Sequence, residues 1–214
     1  MLNLTPLPKL PKSYSNVISE QVVLWHHDKH QAGYVTKFND IVEQLEKSDK
    51  SASNANYSEF GELKRRLSFN HSGIILHENY WEVFGNKEDF TEVNYEDFAI
   101  YSKIVDDFGS YDLWKEDFIA TGKSSLGWAI LLFDNFTQKL MNVSVDFHNN
   151  GAIWDSELVM CCDVFEHAYY KDYGPDRASY LEKFIENLDW QRIDEIFGFS
   201  LCHNHTNDCH CDCN

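Results

Sequence analysis

The chain has 214 residues, of which 43% are hydrophobic and 15% aromatic, enough for one compact unit or two small subdomains around a real core. Its formal net charge of −17 sets long-range repulsion against nucleic acid and anionic membranes, and neither is expected as a partner. No stretch approaches the roughly 18 apolar residues of a membrane span, and the start, with Pro6, Pro8 and Pro11 among isolated leucines, lacks the basic and apolar regions of a secretory signal, so a cytoplasmic location is expected.

From about residue 19 to 47, apolar residues recur at helical intervals (Val22, Val23, Trp25, Val35, Phe38, Ile41, Val42, Leu45), with Ser19 placed to cap the start. A polar linker, Lys47 to Ser58, leads to a second helix from about Glu59 to Val83, and two long helices joined by a polar loop predict an antiparallel hairpin. After a loop at Gly85 to Glu88 come one or two helices (about 94–107 and 109–121) and three strand-like runs, Gly127 to Asp134, Lys139 to Asp146 and Glu157 to Cys162. Helix returns at Tyr180 to Leu188 and Gln191 to Phe197. The predicted class is α+β: an N-terminal antiparallel helical hairpin (1–88), a C-terminal domain (89–199) with a three-stranded antiparallel sheet surrounded by helices, and a Cys/His-rich tail (200–214).

The chemistry concentrates in a few places. Asp163 and His167 lie four residues apart, and on a helical turn that spacing brings a carboxylate and an imidazole to one face, close enough to grip one metal ion. On the first helix His26, His30 and Tyr34 are spaced four and four and share one stripe beside the apolar face. On the second, His71 and His77 are six apart, so only one can point inward; His77, flanked by Ile74, Tyr80 and Trp81, is the better placed. Cys161 and Cys162 sit in an apolar run and read as small buried residues of a strand. The remaining cysteines, Cys202, Cys209, Cys211 and Cys213, crowd the tail with His203, His205 and His210, a set of soft donors suited to zinc or copper(I) but without a closed Cys-x-x-Cys pair.

Four blocks then stand in order: Leu24-Trp25-His26-His27-Asp28-Lys29-His30 with Tyr34; Leu67-Ser68-Phe69-Asn70 leading to His77 and Tyr80-Trp81; Gly127-Trp128-Ala129; and Asp163-Val164-Phe165-Glu166-His167-Ala168-Tyr169-Tyr170. Together they resemble the iron/manganese superoxide dismutases over about residues 2 to 199. The segments from Val145 to Trp154 and from Asp172 to Arg177 are similar to haloarchaeal members, although the richness in asparagine and lysine argues against a halophile. The resemblance implies that His26, His77, Asp163 and His167 bind one manganese or iron ion, manganese being preferred, with a solvent molecule in the remaining position. It implies dismutation of two superoxide anions and two protons to oxygen and hydrogen peroxide. His148 would tune the redox potential through that solvent. Tyr34 and His30 would form the substrate gateway, and Lys29 and Arg177 would flank its mouth. In a homodimer or tetramer, Tyr170 would bond His30 across the interface and Glu166 would hold the partner subunit's His167.

Two residues near the site depart from the family pattern: Phe165 stands where a tryptophan is usual and Ile74 where a histidine is common. The tail is a third departure. A non-enzymatic metal-binding or scaffolding protein on the same fold, with the tail as its working part, is the alternative; the intact set of four ligands favours the enzyme.

Overall fold

The computed structural model describes residues 1–90 and 94–204, and side chains as far as residue 199. The expectations for Cys202 to Asn214, zinc or copper binding among them, concern side chains outside the described residues. The backbone of the last helix nevertheless runs to Asn204, past the predicted domain end at 199.

The first predicted helix is three consecutive pieces: α1 (Glu20–Trp25), a π-helical turn (His26–Gln31) and α2 (Ala32–Lys47). Ser19 occupies the N-cap position, but its hydroxyl accepts from Lys171 Nζ at 3.1 Å and does not cap the helix. The second helix, α3 (Glu59–Glu82), packs along α2 as the predicted hairpin and starts where Ser58 Oγ accepts from the Gly61 amide at 3.2 Å. The N-terminal segment straps this hairpin: Asn39 holds both backbone groups of Leu2, and Lys9 Nζ bonds the carbonyls of Glu82 and Phe84.

The second half opens with α4 (Ala99–Phe108), closed by Gly109 at φ +90°, and α5 (Tyr111–Ser124), capped by Ser110. Strands β1 (Trp128–Asp134), β2 (Lys139–Val145) and β3 (Ser156–Asp163) form an antiparallel sheet in the order β2-β1-β3. The sheet is followed by α6 (Glu166–Tyr173), α7 (Arg177–Glu186) and α8 (Trp190–Asn204). Periodicity alone missed the short helix α6 and placed the start of α7 too late. Asp176, whose carboxylate accepts from the Ser179 amide at 3.1 Å, sets that start.

Central β1 is buried on both faces, which its uninterrupted run Trp-Ala-Ile-Leu-Leu-Phe encodes. One face meets the helices of the second half, as in the contact of Phe133 with Phe197. The other face carries Trp128, Ile130 and Cys161 toward the hairpin, where Cys161 Sγ reaches the Leu76 carbonyl on α3 at 3.1 Å. Pairing of Trp128 with Asp163 at the end of the sheet puts the carboxylate on this hairpin-facing side.

Backbone strain distinguishes two glycines. A Cβ on Gly151 (φ +85°) would lie 2.7 Å from the Ser144 carbonyl oxygen, whereas one on Gly174 (φ +57°) meets nothing within 4 Å. Thermal unfolding is expected to show a loss of about 1–3 kcal/mol for Gly174→Ala, from its positive-φ backbone alone. Gly151→Ala adds a steric clash and is expected to lose at least twice as much.

Candidate metal centre

One cluster gathers four ligand-type side chains from four elements. His26 begins the π turn, His77 lies on α3, Asp163 ends β3 and His167 sits in the first turn of α6. Their donor atoms all lie within 4.8 Å of one another. His26, His77 and Asp163 are fully buried, and His167 is largely so. The spacing of Asp163 and His167 is not that of one helical turn, as the sequence had implied. Asp163 is in extended backbone paired to β1, the chain turns at Val164-Phe165, and α6 then presents His167. The strand-to-helix corner is held by Asp163 Oδ1, which accepts from the Phe165 amide at 2.9 Å.

The other carboxylate oxygen, Oδ2, is the focus of the cluster. It lies 3.1 Å from His26 Nε2, 3.3 Å from His167 Nε2 and 3.7 Å from His77 Nε2. His77 donates through Nδ1 to the Gly73 carbonyl at 2.5 Å, which leaves Nε2 as a lone pair aimed at the cluster. Neither His77 Nε2 nor His167 Nε2 has a hydrogen-bond partner although both are buried. Buried polar atoms seldom lack partners, and these converge with the other donors on one point. Three imidazoles and a carboxylate are the mixed nitrogen and oxygen set that suits a redox-active divalent or trivalent ion, so the residues present fit manganese or iron.

At His26, His77 and Asp163 the electrostatics agree with that use. Burial lowers the pKa of His26 to about 4 and that of His77 well below the ordinary value, so both are neutral at pH 7 and available as ligands. Burial opposes ionisation of Asp163, but His167 and His26 outweigh it and hold the carboxyl well below the usual range. His167 is shifted upward, because the Asp163 charge outweighs burial.

Around the four, His148 is buried and takes a hydrogen bond at Nδ1 from Trp128 Nε1 (3.0 Å). Tyr34 packs edge-on to His148, centroids 4.6 Å apart, and lies 5.4 Å from His77; burial raises its pKa to about 12. Gly73 makes this possible, since a Cβ there would come within 3.2 Å of both the His148 and Tyr34 rings. His30 stacks on His167 at 4.1 Å and stands at the surface. Glu166 and Tyr170 are exposed on α6, and Lys29 is exposed on the π turn. Arg177 is engaged elsewhere: its guanidinium donates to Tyr169 Oη and to the carbonyls of Gly122, Lys123 and Ser125, closing the C-terminus of α5. Phe165 stacks on His167 and closes against Gly127, where a Cβ would stand 2.9 Å from its ring. His71 faces outward against Phe38.

Sequence reasoning assigned no role to Trp128 as the donor that orients His148, to the Gly73 carbonyl, or to Gln31, whose Oε1 accepts from Trp81 Nε1. Only Trp128 left a trace, as the centre of a recognised block.

Comparison with known proteins bears on the same residues. Residues 4–85 match the family described as iron/manganese superoxide dismutases, alpha-hairpin domain, and residues 96–196 match iron/manganese superoxide dismutases, C-terminal domain. The chain is 40% identical over 197 residues (89% of this chain, 94% of the relative) to superoxide dismutase [Mn] 1 of Halobacterium salinarum. It is 40% identical over 190 residues (87% and 90%) to superoxide dismutase [Mn] 2 of Haloferax volcanii. Superoxide dismutase [Fe] of Aquifex pyrophilus is 34% identical over 192 residues (87% and 87%).

The lowered histidine pKa values carry a pH dependence for the metal-free protein. A histidine whose folded pKa is depressed resists a proton that the unfolded chain takes up readily, so stability is intact above about 6.5 and falls as pH drops toward 4. The Tm of metal-free protein is therefore expected to fall between pH 7 and pH 4.5. His148→Gln, which removes one of these groups, should make that decline shallower.

Proposed function

Since the chain belongs to the iron/manganese superoxide dismutases, oxidoreductases that convert two superoxide anions and two protons into oxygen and hydrogen peroxide, we propose that His26, His77, Asp163 and His167 hold its one manganese or iron ion. The observation that carries this assignment is the convergence of four donor atoms within 4.8 Å, two of them buried nitrogens without partners. When bound, such an ion would supply the one-electron redox chemistry that the dismutation of superoxide requires. Manganese is the preferred metal, on the similarity to the two haloarchaeal manganese enzymes.

The protein's part is to exclude bulk water, hold charge and move protons. Asp163 contributes the negative charge that favours a trivalent ion, while neutral His26 and His77 add donors without adding charge. Trp128 fixes His148 with its acceptor nitrogen occupied, so the remaining nitrogen carries the hydrogen, on a ring packed against Tyr34 and near His77. His148 is thereby poised to donate at the site and tune its potential. Tyr34, still protonated at neutral pH, and His30 continue the path to solvent and form the gateway for superoxide. Exposed Glu166 and Tyr170 give α6 the polar face of a homodimer, in which Tyr170 reaches His30 and Glu166 supports the partner subunit's His167. A hairpin domain at 1–88, a C-terminal domain from 89, and a cytoplasmic location complete this reading. Among the described residues no helix is long and apolar enough to cross a membrane.

Reconstitution tests the assignment. Full-length protein loaded separately with manganese and with iron is expected to bind close to one ion per chain and to be active with one of them. Asp163→Ala should retain neither ion, and full occupancy in that variant would overturn the ligand set. Counting zinc and copper on the full chain and on a chain ending at Asn204, which keeps α8 whole, checks whether the remaining tail cysteines bind those metals.

The two basic residues should separate. Lys29→Gln is expected to slow dismutation at low salt and to flatten its ionic-strength dependence, as loss of a steering charge requires. Arg177→Met removes bonds to three carbonyls and is expected to lower Tm by several degrees.

A further inference from the structure

The first helix of the hairpin changes its winding at the residues that serve the metal centre. Over His26–Gln31 it runs as a π turn, in which the Ala32 amide reaches the His27 carbonyl five residues back. An α-helix turns the chain by about 100° per residue and a π turn by roughly 80°. In an unbroken α-helix two residues five apart would face about 140° from each other, and only one could meet the core. Here both His26 and Gln31 do, at 0% and 1% exposure.

The change of winding reaches further along the helix. Counted from His26, α-helical steps alone would place Tyr34 about 80° round the axis, whereas five π steps and three α steps bring it back to within roughly 20°. His26 and Tyr34 accordingly meet the same ring on α3, their centroids 4.8 Å and 5.4 Å from that of His77. Winding of this kind is rare and occurs mostly as single turns inside α-helices, and buried side chains hold this one. Gln31 Oε1 accepts from Trp81 Nε1 at 2.9 Å, and the Trp81 ring stands edge-on to His26 with centroids 4.9 Å apart.

We infer, on the ligand role proposed for His26 and the gateway role proposed for Tyr34, that Gln31 is a positioning residue for both: its bond to Trp81 locks the π turn, and the turn keeps His26 and Tyr34 in one register against His77. Trp81 touches the His26 ring directly and reaches the far end of the turn through Gln31, so one indole fixes both ends of the same five-residue step. An amide suits the position, because it gives the indole an acceptor without burying a charge. Without that acceptor the buried indole N–H has no partner and the far end of the turn is released. Relaxation toward α winding then swings Tyr34 away from His77 and His148, while His26, which begins the turn, moves least. Loss of Gln31 therefore acts on the gateway more than on the hold on the ion.

Amide hydrogen exchange on the metal-loaded full chain reads the lock at Ala32, whose amide spans the turn. Gln31→Met keeps the volume and removes the acceptor, and exchange at Ala32 is expected to quicken about tenfold while the middle of α3 stays protected. Ion content is expected to stay near one per chain, dismutation to slow by about the same factor, and the visible absorption of the bound ion to shift. Gln31→Glu, which returns an acceptor oxygen, is expected to restore slow exchange. Trp81→Phe removes the donor and should also quicken exchange, and the double variant should be no faster than Trp81→Phe alone, because the bond is already lost. Unchanged exchange at Ala32 in Gln31→Met, or fully additive effects in the double variant, would overturn the proposal. So would faster exchange with rate and absorption unaltered, since the lock would then serve the helix alone. A wild-type protein that holds its ion and is inactive would instead count against the roles of His26 and Tyr34, and exchange at Ala32 would still decide whether Gln31 holds the turn.

Discussion

The molecule is organised around one buried negative charge. Asp163 is fully inaccessible and held ionised, and removing a carboxylate from water costs several kcal/mol unless it is paired. The groups that meet it are imidazoles: the Asp163 charge shifts His167 toward its protonated form, while burial keeps His26 and His77 neutral and leaves them lone pairs to offer. His26 and His77 come from the hairpin and Asp163 and His167 from the second half, so an ion held by all four would also join the two halves. Binding free energy for such an ion is folding free energy as well.

Aiming four side chains at one point requires that each be held by something other than the ion. The Gly73 carbonyl fixes the His77 ring from behind. Asp163 is fixed twice: its side chain by the Phe165 amide, and its backbone carbonyl by Tyr180 Oη at 2.8 Å. Tyr180 in turn shares a hydrogen bond of 3.0 Å with Tyr80, which packs against the His26 ring, so a buried phenol pair braces both sides of the cluster. Gly73 serves the site twice, once through its carbonyl and once through the room its missing side chain leaves for Tyr34 and His148.

Much of this was legible in the sequence because the signals were local. The hairpin follows from helical periodicity, the sheet from three short apolar runs, and the choice of His77 over His71 from the company each keeps. What was not legible depended on pairing at a distance. Asp163 and His167 obey helical spacing, yet Asp163 lies in a strand because the ladder to Trp128 extends the backbone there, a constraint that no local window contains. The π turn over His26–Gln31 is hidden for a related reason, since its residues fit an ordinary helix by type and only tertiary packing sets the wider winding. Arg177 looked like a free surface cation, and the carbonyls it serves lie on another helix, more than fifty positions earlier in the chain.

The position of Arg177 bears on how an acidic protein admits an anion. Salt screens exposed charges beyond about 8–10 Å, so the net charge of −17 acts weakly at the mouth and groups within that distance decide the field. The side chains proposed as the gateway add no charge there: His30 is pushed toward its neutral form by desolvation and by His167, and Tyr34 keeps its proton at neutral pH. Arg177 directs its donors to the end of α5 and to Tyr169, which leaves exposed Lys29, next to His30 in sequence, as the better placed of the two basic residues. On the proposed gateway, steering would rest on a short-range field and entry on neutral groups. Such an entry would also leave the negative charge of Asp163 deep behind it, where it would act on a bound ion more strongly than on an approaching anion.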